Sequence, residues 1–257
     1  MAFIHRSRPG PPKLEVSDAV LRYPVGPFSK GSIKSNLFDL FSQSRVGDTA
    51  PQYITALDGV SISILPGDRV GVVGHNGAGK STLLRAMAGV YPLESGTITA
   101  HGRLQTLFNI DIGFEVESTG RENILYRGLA MGVEPNLIRQ RESEIINFAS
   151  IGKFIDLPMR TYSTGMAVRL AFAITSYLDG DILLIDEVFG AGDVTFQKKA
   201  FKRMEAMING AQIVVFVSHD LHTMQLFCNR LLWLDQGHLV MDGDPDSVVR
   251  QYLERSR

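Results

Sequence analysis

The amino-acid sequence predicts an α/β fold with a mainly parallel sheet core. Two apolar, β-branched runs of buried-strand length, 182–186 and 213–218, alternate with longer helical stretches, which indicates a parallel sheet covered on both faces. Apolar residues alternate from 57 to 73, and Pro66-Gly67-Asp68 marks a turn between two strands. The long stretch from 121 to 177 has a helical pattern.

Length and composition indicate one ordinary globular domain with appendages. The chain has 257 residues, of which 44% are hydrophobic and 21% charged, so neither a disordered nor a collagen-like protein is expected. The net charge of −1 gives no positive field that would favour nucleic acid or an anionic membrane. Cys228 is the single cysteine, so no internal disulfide can form, which fits a reducing compartment. We expect its thiol to be packed and unreactive. The apolar runs are too short to span a bilayer, and any work at a membrane is expected to use a partner.

The first part of the chain is expected to contain a flexible arm, an edge strand and a long insertion. Residues 1–13 hold three prolines, and Leu14–Leu21 has the pattern of an edge strand. Residues 24–54 are irregular, with apolar residues at roughly helical spacing: Ile33, Leu37, Phe38, Leu40 and Phe41. This insertion is either a surface loop that carries a short packed helix or a docking element, because long loops in compact domains are often functional.

The remaining elements follow in chain order. Residues 80–90 are expected to form a helix and 96–107 short strands. Pro135 suits the first turn of a helix that Gly152 could end. Near the C-terminus the pattern predicts a strand over 231–234, a hairpin over 237–241 and a last helix over 247–253. Asp244-Pro245 is expected to start this helix.

A phosphate-binding motif follows the apolar strand 70–73. Residues 74–82 read Gly-His-Asn-Gly-Ala-Gly-Lys-Ser-Thr and match G-x-x-x-x-G-K-[ST] ahead of a helix, which is the context that a phosphate loop requires. The glycines let backbone N–H groups face phosphate oxygens, and the helix N-terminus adds a positive end. Lys80 supplies a point charge and Ser81 a hydroxyl for Mg²⁺. All nine residues are therefore expected to bind nucleotide: Gly74, His75, Asn76, Gly77, Ala78, Gly79, Lys80, Ser81 and Thr82.

Two acidic residues follow the buried strand 182–185. Asp186 at the strand end could hold Mg²⁺, and Glu187 is placed to polarise a water molecule for in-line attack on a phosphate. The alternative is a strand that ends in solvated acids, which is common. The phosphate loop favours the catalytic interpretation.

Four motifs in this order resemble the nucleotide-binding subunit of ATP-binding-cassette (ABC) transporters. They are the phosphate loop, Tyr162-Ser163-Thr164-Gly165-Met166, the acidic strand, and Ser218-His219-Asp220. The resemblance extends from about Leu14 to Asp235. It implies a P-loop NTPase fold of the ABC-cassette type, with a mainly parallel sheet core, an antiparallel β part and a helical subdomain. It also implies ATP and Mg²⁺ as cofactors and ATP hydrolysis as the activity.

The resemblance also implies roles for individual residues. The motif over 162–166 is similar to the signature that contacts the γ-phosphate bound by the other subunit, and His219 resembles the catalytic switch histidine. Asp193 occupies the dimer-contact loop 190–193. Tyr23 resembles the aromatic residue that stacks on adenine, and a partly buried tyrosine without that role is the alternative.

Two departures from the family pattern point to a subgroup. The usual signature begins Leu-Ser-Gly-Gly-Gln, and the coupling loop usually carries a glutamine that is absent here. Asn109 is the expected substitute as a metal ligand, with Asp111 second. Together with the Thr-Gly-Arg-Glu-Asn-Ile stretch over 119–124, these departures resemble ATPases that export lipid-linked polysaccharides, namely O-antigen, capsule and teichoic acid.

For this subgroup the resemblance implies a single ABC ATPase domain over 1–257. The RecA-like core with the β part is expected over 14–107 and 180–235, and the helical subdomain over 110–178. A family-specific insertion is expected over 24–54, and a C-terminal hairpin and helix over 236–257. The residues after His219 leave no room for an added sugar-binding domain, so no binding of free polysaccharide is expected.

The implied function is that of a homodimeric ATPase on the cytoplasmic face of the inner or plasma membrane. It would drive two copies of an integral-membrane permease that moves a lipid-linked polysaccharide, with no nucleic-acid partner. The alternatives are the ATPase of another ABC transporter, a soluble ABC ATPase that acts on ribosomes or DNA, and a P-loop kinase. A soluble ABC ATPase normally has two cassettes or long coiled coils, and a kinase would leave His219 unexplained. The basic cluster Lys198, Lys199, Lys202 and Arg203 is expected to be a solvated helix face.

Overall fold

The computed structural model describes residues 5–6, 10–25, 52–108, 113–178, 180–186, 194–218 and 220–255. In chain order these residues form β1 (His5–Arg6), β2 (Lys13–Val25), β3 (Gln52–Ile64), β4 (Arg69–Val73), α1 (Lys80–Met87), β5 (Ser95–His101), β6 (Leu104–Leu107), α2 (Gly120–Ala130), α3 (Pro135–Ala149), α4 (Thr164–Tyr177), β7 (Ile182–Asp186), α5 (Val194–Gly210), β8 (Ile213–Val217), α6 (Leu221–Phe227), β9 (Arg230–Asp235), β10 (His238–Gly243) and α7 (Pro245–Arg255). Two short 3-10 helices, Gly152–Asp156 and Met159–Thr161, lie between α3 and α4.

The core is a six-stranded sheet in the order β10-β9-β4-β8-β7-β6, parallel except for the pairing of β10 with β9. The predicted mainly parallel sheet is confirmed. Alternate residues of β7 belong to two different hydrophobic clusters, with Leu183 and Ile185 in one and Ile182 and Leu184 in the other. Both faces are therefore covered, which explains why β7 reads as a continuous apolar run.

A second, four-stranded sheet in the order β1-β5-β2-β3 forms the antiparallel part, in which only the short β1 pairs parallel to its neighbour β5 among the described strands. The prediction of an edge strand at Leu14–Leu21 is wrong, because β2 pairs with both β3 and β5. Leu14, Val16 and Leu21 are buried while Ser17 and Arg22 are exposed. This alternation indicates that one face of the strand is buried. Interior strands of a half-exposed sheet show the same alternation as edge strands, so the pattern does not distinguish the two.

Residues at both ends of the predicted insertion 24–54 belong to strands. β2 and β3 pair antiparallel to their tips, where Pro24 lies opposite Tyr53 and Val25 opposite Gln52. Residues 24–25 and 52–54 therefore belong to strands. Residues 26–51, with the predicted helical spacing from Ile33 to Phe41, lie outside the described residues.

Three α-helices and two 3-10 helices confirm the helical stretch predicted between β6 and β7. Pro135 lies in the first turn of α3, as predicted. The prediction that Gly152 ends this helix is wrong, since α3 ends at Ala149 and Ser150 takes the left-handed conformation with a φ of 53°. The Ser150 hydroxyl donates to the carbonyls of Asn147 and Phe148, which satisfies the end of the helix locally.

The C-terminal elements also follow the prediction. β9 and β10 form the hairpin, and the Asp244 side chain accepts a hydrogen bond from the Ser247 amide at the start of α7. Among the described residues, no helix is both long enough and apolar enough to cross a membrane.

Cys228 follows α6 and is packed against the parallel sheet. Its side chain is buried, and a Cβ added at Gly71 in β4 would overlap with Leu231 and would touch the Cys228 sulfur. Burial raises the pKa of the Cys228 thiol to about 12. The thiol therefore stays protonated and behaves as a small apolar group, as predicted.

We predict that Cys228 does not react with a thiol reagent in the native protein at pH 8, and that it reacts fully once guanidinium unfolds the chain. An exposed thiol ionises near pH ~8.5, whereas this one is raised far above that value. Because the chain has one cysteine, labelling with Ellman's reagent followed by absorbance is unambiguous. Rapid stoichiometric labelling of the native protein would contradict the buried position.

Candidate nucleotide-binding site

The predicted phosphate loop connects β4 to α1, and its backbone is wedged between two strands. Gly74 has a φ of 149° and Gly79 a φ of 103°, a region that favours glycine. A Cβ at Gly74 would overlap with the Leu234 carbonyl of β9, and one at Gly79 with the Ala56 carbonyl of β3. The two glycines are needed because no side chain fits between the loop and these strands.

The turn of the β9–β10 hairpin holds the same loop from one side. The Gly237 amide donates to the Ala78 carbonyl at 3.1 Å, and the Asp58 amide of β3 donates to the Gly237 carbonyl at 3.0 Å. The hairpin, β3 and the loop are thus joined through one residue. On the outer side, the His75 ring lies 5.4 Å from the Tyr252 ring of α7.

Lys80 is the first residue of α1, and its side chain folds back into the loop. It is 6% exposed, and its Nζ donates to the Gly74 carbonyl at 2.7 Å and to the His75 carbonyl at 2.9 Å. The ammonium group therefore lies inside the curve of the loop. This position combines a cation with the N-terminus of α1, and both attract phosphate oxygens.

Ser81 and Asp186 meet although they are far apart in sequence. The Ser81 hydroxyl donates to Asp186 Oδ1 at 3.3 Å, where β7 ends. β8 lies between β4 and β7, and Val217 at its end pairs with Val72 and with Asp186. The carboxyl ends of three parallel strands therefore meet beside the phosphate loop. A hydroxyl and a carboxylate are hard oxygen donors of the kind that Mg²⁺ prefers.

A cavity of about 340 Å³ opens beside the loop. Its walls come from the loop and α1, from the β2–β3 hairpin and from β8, and its lining residues are Tyr23, Ile54, Thr55, Ala56, Asn76, Gly77, Gly79, Lys80, Ser81, Thr82 and Val217. The size suits a small-molecule ligand. Tyr23 and Ile54 belong to the wall that the β2–β3 hairpin forms.

Tyr23 reaches this wall even though a long segment separates it from Lys80 in sequence. Its hydroxyl is 3.2 Å from the Thr82 hydroxyl, and its ring meets the Tyr91 ring edge-on with centroids 5.8 Å apart. The tyrosine is partly buried and packs against the core as well. The structure thus brings Tyr23 to the cavity, with part of an aromatic side chain available to a planar base.

The predicted signature lies at the exposed N-terminus of α4. Ser163 caps the helix and accepts a hydrogen bond from the Met166 amide at 3.3 Å. Ser163 and Thr164 are exposed, and a Cβ placed at Gly165 would meet open space. The first turn of α4 therefore presents backbone N–H groups on an open surface. Such a surface suits an anion that another molecule carries.

Tyr162 has a structural role that the sequence did not predict. Its hydroxyl donates to the Phe154 carbonyl at 2.6 Å, and burial raises the pKa of this hydroxyl. A Cβ at Gly120, the first residue of α2, would overlap with the same hydroxyl oxygen. This tyrosine, which stands where the family usually has leucine, therefore connects the signature to the 3-10 helix Gly152–Asp156 and to α2.

The Thr-Gly-Arg-Glu-Asn stretch shapes the loop before α2. Thr119 and Glu122 form a reciprocal capping box at the start of the helix. The side chain of Asn123 is fully buried, accepts from the Glu115 amide at 2.8 Å and donates to the Glu115 and Thr119 carbonyls at 2.9 Å each. Asn123 therefore fixes the backbone of residues 115–119.

Several predicted site residues lie outside the described part of the chain. They are Glu187, His219, Asn109, Asp111 and Asp193. Their described neighbours Asp186 and Ser218 lie at the carboxyl edge of the parallel sheet, beside the phosphate loop. The catalytic, metal-binding and dimer-contact roles of the five residues stay predictions.

The three lysines of the basic cluster on α5 are solvent-exposed, as predicted, but Arg203 is not. Lys198, Lys199 and Lys202 are exposed, although Lys199 also donates to the Phe148 carbonyl at 2.9 Å at the end of α3. Arg203 is half-buried and donates to the Ser176 carbonyl at the end of α4, so the prediction is wrong for this residue. The last carbonyls of a helix have no partners inside the helix and attract cations, which explains both contacts.

Comparison with known proteins agrees with the geometry. A family model described as "ABC transporter" matches residues 57–190. The chain is 42% identical over 222 residues to the O-antigen export system ATP-binding protein RfbE of Yersinia enterocolitica, which covers 86% of this chain and 93% of that protein. It is 41% identical over 218 residues to the teichoic acids export ATP-binding protein TagH of Bacillus anthracis, which covers 85% of this chain but 39% of that longer protein.

Solved structures share the fold. An ATP-binding subunit of an ABC transporter superposes with a TM-score of 0.68 at 19% identity, over 95% of both chains. A dimeric ATP-binding cassette in a post-hydrolysis state, bound to ADP and Pi, superposes with a TM-score of 0.64 at 18% identity, over 90% of this chain and 98% of that one. These likenesses confirm the predicted fold class.

We predict that Lys80→Ala abolishes nucleotide binding. Lys80 places a buried cation within the phosphate loop, and charge-assisted contacts to phosphate depend on it. Titration with a fluorescent ATP analogue measures the loss, and Lys198→Ala, at an exposed lysine, is the matched control. Unchanged affinity in Lys80→Ala would contradict the assignment of the loop.

Tyr162→Phe should lower the free energy of unfolding by about 1 kcal/mol, because it leaves the Phe154 carbonyl without this donor. Affinity for nucleotide should not change, since the hydroxyl bonds the 3-10 helix rather than the phosphate loop. Thermal and urea unfolding measure the first effect, with Tyr126→Phe at an exposed tyrosine as the control. A loss of nucleotide affinity without a loss of stability would show that Tyr162 serves the ligand.

Proposed function

The chain belongs to the ABC transporter family of ATPases, and we propose that it drives an exporter of a lipid-linked polysaccharide of the O-antigen, capsular or teichoic type. The observation that carries the proposal is the 42% identity to an O-antigen export ATP-binding protein over 93% of that protein. A teichoic acid export protein matches at 41%, although this chain covers a smaller part of it. Both relatives are named as ATP-binding proteins of export, one for O-antigen and the other for teichoic acids.

The described residues support binding of Mg-ATP. The backbone amides of the loop and Lys80 would bind the phosphates, and Tyr23, which lines the same cavity, would stack on the adenine base. Ser81 and Asp186 would hold Mg²⁺ together with phosphate oxygens, because Mg²⁺ is usually bound by one or two carboxylates and by substrate. An ion held there would supply positive charge beside the phosphates. Glu187, next to Asp186, is proposed to orient the attacking water, and His219 and Asn109 to complete the site.

A homodimer would complete each ATP site. The exposed N-terminus of α4, with Ser163, Thr164 and Gly165, offers amides to an anion, and none of these three residues lines the cavity beside the phosphate loop. A symmetric pairing of two chains would place each signature against the nucleotide of the other chain. The structural neighbour that was solved with ADP and Pi is itself a dimer. Asp193 is proposed to lie in the contact between the two chains.

The proposed location is the cytoplasmic face of the inner or plasma membrane, where the dimer would dock on two copies of a permease subunit. The helices over 110–178 would form the helical subdomain, and 14–107 with 180–235 the RecA-like core and β part. The insertion within 24–54 would contact the permease or the lipid-linked substrate. In the sequence it connects β2 to β3, whose residues Tyr23 and Ile54 line the nucleotide cavity.

The proposal predicts that loss of this gene stops polysaccharide from reaching the cell surface and that lipid-linked polysaccharide accumulates inside. Wild-type protein should restore export. Glu187→Gln should bind ATP but not restore export, because removal of such a base typically lowers hydrolysis by a factor of about 10²–10⁴. Surface polysaccharide is measured by immunoblot and the lipid-linked pool by extraction.

Two outcomes would contradict the proposal. Normal surface polysaccharide in the deletion strain, with another compound retained, would favour a different ABC transporter. Co-purification of the tagged chain with ribosomes or DNA, rather than with an integral-membrane subunit, would favour the soluble class of ABC ATPases.

A further inference from the structure

The signature helix α4 is capped at its buried end by two side chains from other parts of the chain. The final carbonyls of a helix lack partners within the helix. Here Gln105 Nε2 in β6 donates to the Thr175 carbonyl, and Arg203 in α5 donates to the Ser176 carbonyl through Nε at 3.0 Å and through Nη2. The end of α4 opposite the signature is therefore held from two sides.

Gln105 is a buried polar residue with both ends of its amide in use. It is 3% exposed, and its Oε1 accepts a hydrogen bond from the Gly180 amide at 3.2 Å. A Cβ at Gly180 would lie 2.7 Å from the Gln105 Cβ, so the chain after α4 passes directly over this side chain. Gln105 thus joins β6 both to the end of α4 and to the segment that enters β7.

Arg203 binds the end of α4 through packing as well as through hydrogen bonds. Its guanidinium group lies 4.0 Å from the centroid of the Tyr177 ring. Two turns earlier in α5, Phe196 meets Phe172 of α4 with ring centroids 6.0 Å apart. A planar, doubly donating cation suits this site better than an ammonium group, because it can bond the carbonyl and cover the ring together.

Gln105 and Arg203 belong to elements that are adjacent in sequence to segments with predicted site residues. β6, with Gln105, leads into the segment that contains Asn109, and α5, with Arg203, follows the segment that contains Glu187 and Asp193. The other end of α4 carries the signature. One helix end is therefore bonded to the elements that flank two segments of the proposed site.

Resting on the proposed function, we infer that Gln105 and Arg203 are positioning residues that fix α4, so that its exposed N-terminus meets the nucleotide of the other chain. The helix has 14 residues and is about 21 Å long. A tilt of about 10° at the anchored end would move the signature by about 4 Å, by the geometry of a rigid rod of that length. Contacts to a phosphate tolerate about 0.5 Å, so the anchor determines whether the signature functions.

The test compares Arg203→Met with Arg203→Lys and with Lys202→Met. Arg203→Met keeps an apolar stem but removes both hydrogen bonds, Arg203→Lys keeps the charge without the planar fork, and Lys202→Met removes the same charge from the exposed neighbouring residue. Each variant is measured for kcat, for affinity of the monomer for a fluorescent ATP analogue, and for thermal unfolding. ATP-dependent dimerisation is followed by light scattering in the Glu187→Gln background.

We expect Arg203→Met to lower kcat about tenfold, which corresponds to ~1.4 kcal/mol, and to weaken ATP-dependent dimerisation. Monomer affinity for the analogue should stay within about twofold, because the phosphate loop is untouched. Arg203→Lys should recover part of the kcat, and Lys202→Met should match the wild type. Gln105→Glu, which keeps the shape but replaces the donor amide, should reproduce the loss of kcat at a temperature where it remains folded.

A lower unfolding midpoint with unchanged kcat and unchanged dimerisation in folded Arg203→Met would overturn the inference and leave a purely structural contact. An equal loss of analogue affinity in the monomer would also overturn it, since the effect would then act through the phosphate loop. If the wild-type chain itself neither hydrolyses ATP nor dimerises with it, the proposed function fails together with the inference.

Discussion

The close packing of the phosphate-loop backbone against β3 and β9 is the constraint on which the rest of the site depends. Gly74 and Gly79 have no room for a side chain because carbonyl groups of the neighbouring strands occupy that space. Gly237 then bonds the hairpin turn to both the loop and β3. With the backbone held in this way, Lys80 is buried inside the loop, where its Nζ donates to two backbone carbonyls. The loop is thus built for an anion before any ligand arrives.

The other parts of the site are arranged around this fixed loop by the order of the strands. β4, β8 and β7 are neighbours and parallel, so the loop, Ser218 and Asp186 emerge at one edge of the sheet. The β2–β3 hairpin brings Tyr23 to the cavity that Lys80 also lines, with its hydroxyl 3.2 Å from that of Thr82. The signature is the exception, since it stands at the far end of a helix whose other end is bonded to β6 and α5. The signature residues 163–165 are not among the residues that line the cavity, and a second chain is the simplest way to bring a signature to each loop.

Local patterns in the sequence predicted the features that local physics determines. The phosphate loop, the acidic strand end and the buried parallel strands each depend on a short run of residues, and all lie where they were expected. The position of β2 inside its sheet was not predictable, because alternation along one strand shows its buried face and says nothing about its neighbours. The end of α3 was misplaced because Ser150 adopts the left-handed conformation usually associated with glycine.

Contacts between residues far apart in sequence account for what was missed. Tyr162 was recognised only as a departure from the signature, and its bond to the Phe154 carbonyl depends on the fold of the 3-10 helix. Gln105 and Arg203 carry no local signal of their role, since their common target is the end of a helix 70 and 27 residues away. The prediction that Tyr23 belongs to the site depends on the family resemblance. No local pattern indicates it, because its contact Thr82 lies on the other side of the insertion in the sequence.

The central claim is that one chain's phosphate loop and another chain's signature close each ATP site. A crystal structure of Glu187→Gln with ATP and Mg²⁺ tests it most directly. The account predicts two ATP molecules between two chains, each with its phosphates between Lys80 of one chain and Ser163 of the other. A structure in which the bound ATP contacts a single chain, with the signature of the second chain turned away from it, would contradict the account.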